Sequence, residues 1–174
     1  TRIVAGAGGP QLTAVMDCVK VADKYNIPVI SDGGIRTSGD ITKALAAGAS
    51  TVMIGGLLAG TEEAPGLTIM RNGGKYKMSR GMASIAANLS NKSINNSELK
   101  QDDVEDIVPE GVESFVPYKG KASEVIKQLI GGLRSGLSYC GVSNLEDLRK
   151  NAEFVKITKA GKIESMPHDV ELIE

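Results

Sequence analysis

Tryptophan is absent from this 174-residue chain, and histidine occurs once, as His168. One imidazole makes a zinc site improbable, because such sites draw on clusters of histidine and cysteine. Cysteine is almost as scarce: Cys18 and Cys140 are too few for a disulfide scaffold, and neither has metal-ligand spacing. A surplus of either charge is also missing, the formal balance being −1 at pH 7, which removes the basic surface that nucleic acid or an anionic membrane would select. Long apolar runs are missing too. TVMIGGLLAG at 51–60 falls well short of the ~20 residues needed to span a bilayer. Nothing N-terminal reads as a signal peptide, so a cytoplasmic setting is expected, with no nucleic-acid and no membrane partner.

Glycine, by contrast, is abundant at 21 residues against 3% aromatics, so the backbone is asked to turn and to approach ligands closely at many points. The length suits one domain with a real core. The stretch 88–106, NLSNKSINNSELKQDDVED, is polar and lacks helical periodicity, and reads as a surface loop. Its acidic residues Asp102, Asp103, Glu105 and Asp106 lack the spacing of a calcium loop and read as solvated. Cys18, beside Val15 and Val19, is expected as a packed thiol, Cys140 likewise, and His168 as a surface residue.

After Pro10, the spacing of Leu12, Val15, Met16, Val19 and Ala22 predicts an amphipathic helix that the proline opens at its first turn. IPVIS then reads as a short strand, Ser38 as the cap of a helix through ITKALAAG with Asp40 in its first turn and Gly48 at its end, and TVMIGG as a second strand. This alternation is the rhythm of βα units around a parallel sheet. Both strands are apolar, as expected where helices cover one face and a core the other. Farther on, Val125, Ile126, Leu129, Ile130 and Leu133 predict a further helix. The tail from NLEDLRKNAEFVKI onwards predicts a short helix and extended segments.

Each predicted strand ends in a glycine pair, Gly33–Gly34 and Gly55–Gly56. One pair is explained by a tight turn. Two at the ends of successive strands point to a phosphate cradle, since in (β/α)8 barrels a phosphate commonly lies between the loops after the last two strands. Asp32, just before the first pair, then stands at the mouth of the site, able to accept hydrogen bonds from sugar hydroxyls.

Read in order, TRIVAG, PQLTAVMDC, SDGGIRTSGDITKALAAGAS, VMIGGLLAGTEEAPG, RGMAS, VPEGVE and GGLRSG closely resemble the C-terminal half of the catalytic barrel of inosine-monophosphate dehydrogenase. That family shares its barrel and covalent chemistry with guanosine-monophosphate reductase. The resemblance implies an α/β fold, the (β/α)8 TIM barrel, with residues 1–174 as the C-terminal portion of one catalytic domain. A mobile flap is implied at about 67–118 and a C-terminal tail at about 150–174, while the N-terminal half of the barrel comes from another segment or chain. The implied activity is NAD-dependent oxidation of inosine 5′-monophosphate (IMP) to xanthosine 5′-monophosphate through a covalent cysteine thioimidate, in guanine nucleotide biosynthesis.

The family's active-site loop reads Cys-Thr-Thr-Arg, so Thr1-Arg2 places the nucleophilic cysteine two residues before Thr1, with Thr1 as a partner in proton transfer. By the same resemblance Asp32 is the ribose ligand, and the amides of Gly33, Gly34, Gly55 and Gly56 hold the 5′-phosphate. Gly81, Met82 and Ala83 in RGMAS bring backbone groups to the base, and Glu110 contacts its N1 edge and forms a proton relay with Thr1. A monovalent cation, expected to be potassium, is implied on the backbone of Glu164, Ser165 and Met166, and a homotetramer as the assembly.

Three departures accompany the match. Gly56 stands where dehydrogenases usually carry serine, and Ser79 where the family usually has a phosphate-binding tyrosine. No arginine or tyrosine occurs between Arg80 and Tyr118, although dehydrogenases carry an Arg-Tyr pair there whose arginine activates the hydrolytic water. The reductase lacks that arginine as well. The alternative reading is therefore a GMP reductase, an NADPH-dependent deamination of guanosine 5′-monophosphate (GMP) to IMP, and a further alternative is a nucleotide-binding relative that has lost catalysis. The flap length, VPEG, TEEAPG and the HDV tail favour the dehydrogenase.

Overall fold

The computed structural model describes residues 5–80 and 113–166. Helix α1 runs Gln11–Ala22, and Pro10 stands outside it as the N-cap, extended at φ −62° and ψ 123°, rather than inside the first turn. Its carbonyl accepts the Ala14 N–H at 3.0 Å, and a missing N–H is tolerated there because the first donors of a helix have no partner within it. Leu12, Val15, Met16, Val19 and Ala22 turn inward as the spacing predicts. Val15 and Val19 pack with Ala49, Val29 and Ala47. Cys18 is exposed, contrary to expectation, because at 3.6 residues per turn it falls roughly a quarter-turn from the centre of that stripe. Cys140, the C-cap of a later helix, is exposed as well. A 3₁₀ turn, Asp23–Tyr25, and Asn26 in the left-handed conformation (φ 53°) close α1.

Strand β1 (Ile30–Asp32), helix α2 (Ser38–Ala46) and strand β2 (Thr51–Met53) form the expected βα rhythm. The strands pair in parallel, Ile30 opposite Thr51 and Asp32 opposite Met53. Ser31 is buried on the helix-covered face, whereas Ile30 and Met53, on the other face, are 57% and 51% exposed within this chain. The expectation of two covered faces therefore holds for one of them here.

The cap of α2 is Thr37 and not Ser38, which is already helical. Thr37 keeps the extended conformation a cap needs (φ −139°, ψ 166°), its hydroxyl accepts the Asp40 N–H, and the Asp40 carboxylate accepts the Thr37 N–H in return. Gly48 ends the helix as predicted, at φ 106°.

Helix α3 (Ala122–Tyr139) lies across α2. The contact is close because both surfaces are small: Gly132 meets Ser38, and a Cβ on Gly136 would lie 2.7 Å from the Thr42 side chain. This shifts the inward stripe of α3 toward Leu129, Gly132, Leu133, Gly136 and Leu137 and leaves Ile126 and Ile130 exposed, where the apolar spacing placed them inside. Beyond it come α4 (Leu145–Asn151) and α5 (Lys159–Glu164), two short helices where one was expected. Leu148 of α4 is fully buried against Ile41 and Leu45, with Leu129, Leu133 and Leu137 around them. Arg149 of α4 places Nη2 at 3.2 and 3.1 Å from the two carboxylate oxygens of Asp23, tying the tail to the end of α1.

The segment predicted as a flap contributes strands at both its ends. β3 (Thr68–Arg71), β4 (Gly74–Arg80) and β5 (Glu113–Pro117) make an antiparallel sheet in that order. Asn72 and Gly73, at φ 49° and 77°, form the two-residue turn between β3 and β4, a conformation matched to the twist of a hairpin. The predicted polar loop at 88–106, with its acidic run, and His168 lie outside the described residues.

Candidate active site

The parallel pairing of β1 and β2 brings Asp32, Gly33 and Gly34 to the same sheet edge as Gly55 and Gly56. The first glycines are demanded by the backbone: Gly33 and Gly34 have φ of 94° and 75°, a succession that residues with a Cβ resist. The second pair has no such demand. Neither Gly55 nor Gly56 is left-handed, and a side chain on either would find nothing within 4 Å among the described residues. Gly33 is equally open. The missing side chains keep this sheet edge clear, so a ligand can approach the backbone closely.

Gln11, not singled out from the sequence, completes the wall. Its Nε2 donates to the Asp32 carbonyl at 2.8 Å, and its Cβ and Cγ lie 3.7 Å from where a Gly34 side chain would begin. Gln11, Ser31, Gly34 and Lys43 line a small cavity of about 150 Å³ beside the turn. Below it sits the Asp40 carboxyl. Partial burial pushes Asp40 up, but the hydrogen bond and charge of Lys43, 2.8 Å away, together with the Arg36 and Thr37 amides, outweigh it and hold the group below its ordinary range.

The loop after β2 is fastened to the root of the antiparallel sheet. Gly60 O accepts the Lys119 N–H and Gly120 O accepts the Glu62 N–H, both at 2.8 Å, while the Lys119 ammonium reaches Leu57 O at 3.3 Å. Lys77 of β4 is buried and donates to Glu62 O at 3.2 Å. The Glu63 carboxylate accepts the Ala122 N–H at the start of α3, 2.8 Å away, and that bond holds its pKa below the ordinary range. The glycine-bearing loop and the roots of the predicted flap are thus one hydrogen-bonded unit.

Of the other predicted site residues, Ser79 lies half-buried in β4 opposite Ser114, in a different sheet from the glycine pairs. Glu164 ends α5, followed by Ser165 as its C-cap and Met166. Thr1, Gly81, Met82, Ala83 and Glu110 lie outside the described residues. Among the described residues no helix is long and apolar enough to cross a membrane, and no cluster of three or more His, Cys, Asp or Glu side chains is arranged to hold a metal ion.

A profile of the IMP dehydrogenase / GMP reductase domain matches residues 1–168. The chain belongs to this family. Inosine-5′-monophosphate dehydrogenase of Nitrosopumilus maritimus is 55% identical over 174 residues, covering 99% of this chain and 37% of that protein. GMP reductase of Leishmania donovani is 54% identical over 170 residues, covering 98% of this chain and 34% of that protein. A crystal structure of a Cys→Ala variant of Trypanosoma brucei GMP reductase in complex with guanosine 5′-monophosphate superimposes with a TM-score of 0.89 at 49% identity, over 98% of this chain and 34% of that one. Members of the IMP dehydrogenase / GMP reductase family bearing these names are purine nucleotide oxidoreductases, and the chain spans about a third of the length of the relatives it matches.

Proposed function

We propose that this chain is the nucleotide-binding portion of a (β/α)8 barrel that oxidises IMP to xanthosine 5′-monophosphate. The observation that carries the reading is the glycine edge: two pairs ending neighbouring parallel strands, one of which neither dihedral angle nor crowding among the described residues explains. A 5′-phosphate docks on the amides of Gly33, Gly34, Gly55 and Gly56, and the Asp32 carboxylate accepts the ribose hydroxyls. The base is oriented by backbone groups of Gly81, Met82 and Ala83, and Ser79 flanks the phosphate where relatives carry tyrosine. Glu110 and Thr1 move the proton that hydrolysis of the covalent intermediate releases, on a substrate held by the cysteine that precedes Thr1 in the family motif.

NAD, or NADP for the reductase direction, is the redox partner the family implies, and none of the described residues is assigned to hold it. By the same family reading, the backbone carbonyls of Glu164, Ser165 and Met166, at the C-terminal end of α5, hold a potassium ion. A homotetramer in the cytoplasm follows from the same family reading.

The second reading, reduction of GMP to IMP with release of ammonia, is favoured by one feature, the absence of arginine and tyrosine between Arg80 and Tyr118. The two are separated by supplying the assembled barrel with IMP and NAD or with GMP and NADPH. Appearance of NADH in the first mixture supports the dehydrogenase, and loss of NADPH in the second the reductase. No redox change in either overturns both and leaves a nucleotide-binding relative.

A further inference from the structure

Gln11 is the first residue of α1, yet its side chain serves a strand 21 positions away. The Nε2 donor holds the Asp32 carbonyl at 2.8 Å, and the methylene stem lies beside Gly34, the second of two consecutive left-handed residues. In a trans peptide the C=O and N–H of one unit point in opposite directions, so fixing the Asp32 carbonyl fixes the direction of the Gly33 N–H. Glycine in the left-handed region is conformationally free, and a turn built from two such residues takes up many orientations unless something outside it selects one. Among the described residues, the Gln11 bond is the side-chain contact that does this at the head of the turn.

We infer that Gln11 is a positioning residue that aims the Gly33–Gly34 turn at the phosphate of the bound nucleotide. This rests on the reading that the turn receives a 5′-phosphate. Gln11 stands at the junction of two segments: Pro10 leads the chain into it, and the glycine turn hangs from its amide. It touches neither the base nor the ribose in this reading, and Asp32, which takes the ribose, is held as well by its pairing with Met53 across the sheet, so the larger part of the influence of Gln11 falls on the phosphate end.

The test compares two ligands that differ in the phosphate alone. Wild-type protein with its whole barrel, Gln11→Leu and Gln11→Met are titrated with IMP and with inosine, with GMP and guanosine as a second pair, and melting temperatures are recorded alongside. The Leu variant keeps the bulk and removes the donor. The Met variant keeps the unbranched length and has no donor and no charge, and it provides the measurement should the Leu variant fold poorly.

The expected result is a loss of monophosphate affinity of about threefold to tenfold in both variants, the fold-change that one lost neutral hydrogen bond carries, with nucleoside affinity changed by less than about twofold. In turnover, KM for the nucleotide rises by the same factor and kcat stays within about twofold. Equal losses for nucleotide and nucleoside, or losses that track the melting temperature alone, would assign Gln11 a structural role and overturn the inference. A wild-type protein that shows no preference for monophosphate over nucleoside would instead overturn the phosphate reading of the turn, and the inference with it.

Discussion

Three glycines on the two βα units are small for two different reasons. Gly48 is locked by the fold: its φ is 106°, and an added Cβ would lie 2.6 Å from Val19 Cγ1 and 3.3 Å from the Arg149 guanidinium. Among the described residues, Gly55 and Gly56 have neither constraint. Gly48→Ala therefore combines left-handed strain of about 1–2 kcal/mol with overpacking of about 1–3 kcal/mol, and we expect denaturant unfolding to show a loss of about 2–5 kcal/mol. Gly55→Ala should leave stability within about 0.5 kcal/mol while weakening purine mononucleotide binding, because the methyl enters space kept for the ligand and not for the protein. Equal destabilisation by the two substitutions would contradict the assignment of the second pair to a site. The glycine pairs themselves were legible from sequence because a turn residue is a local signal. Gln11 was not, since a side chain spanning 21 positions to a backbone carbonyl leaves no trace in spacing.

Helix α2 follows the first glycine turn in the chain, and its N-terminus is a reciprocal box of Thr37 and Asp40 backed by Lys43. Replacing Thr37 by Ala removes one half of the box and should cost about 1 kcal/mol. Asp40 adds a pH dependence whose sign follows from its lowered pKa. An acid whose folded pKa lies below its unfolded value of about 3.9 contributes fully above about pH 5, and the contribution is lost as pH falls through the folded value. Stability of the wild type and of Asp40→Asn should therefore differ at neutral pH and converge in acid. A gap that stays constant between pH 6 and pH 2.5 would show that the carboxylate charge is not what the box uses. The sequence-based choice of Ser38 as cap missed by one residue for a physical reason: Thr37 and Ser38 are both competent, and only the chain's entry angle decides which stays extended. Asn72-Gly73 is a strong hairpin signal, but it falls inside the flap that the family resemblance implies, and a flap carries no expectation of strands, so β3 and β4 are visible only in the structure. On α3, apolar spacing put Ile126 and Ile130 inside, whereas the close approach to α2 is made by Gly132 and Gly136, small residues that apolar periodicity does not weigh.

At the scale of the molecule, the loop carrying Gly55 and Gly56 is bonded through Glu62, Gly60 and Leu57 to both roots of the predicted flap, Lys77 on one side and Lys119 and Gly120 on the other. In the proposed reading, the loop that holds the phosphate is therefore one connected unit with the roots of the flap, which makes the flap's composition a kinetic determinant. Dehydrogenase chemistry needs a base for the attacking water, and this flap offers no arginine between Arg80 and Tyr118. With Thr1 and Glu110 as the remaining proton carriers, the assembled enzyme should release NADH from IMP and NAD in a fast burst and then turn over slowly while the cysteine-bound intermediate accumulates. The double substitution Asn96→Arg and Ser97→Tyr restores the pair at the positions that count back from VPEG. It should accelerate the slow phase by about 10²-fold or more, the scale of general-base catalysis, and leave the burst unchanged, because hydride transfer precedes the step that needs the base. Rapid-mixing absorbance of NADH separates the phases. A burst that changes with the substitution, or a steady rate that does not, would remove hydrolysis as the slow step. The absence of any burst, with GMP and NADPH consumed instead, would transfer the flap's missing arginine from a handicap of a dehydrogenase to the ordinary equipment of a reductase.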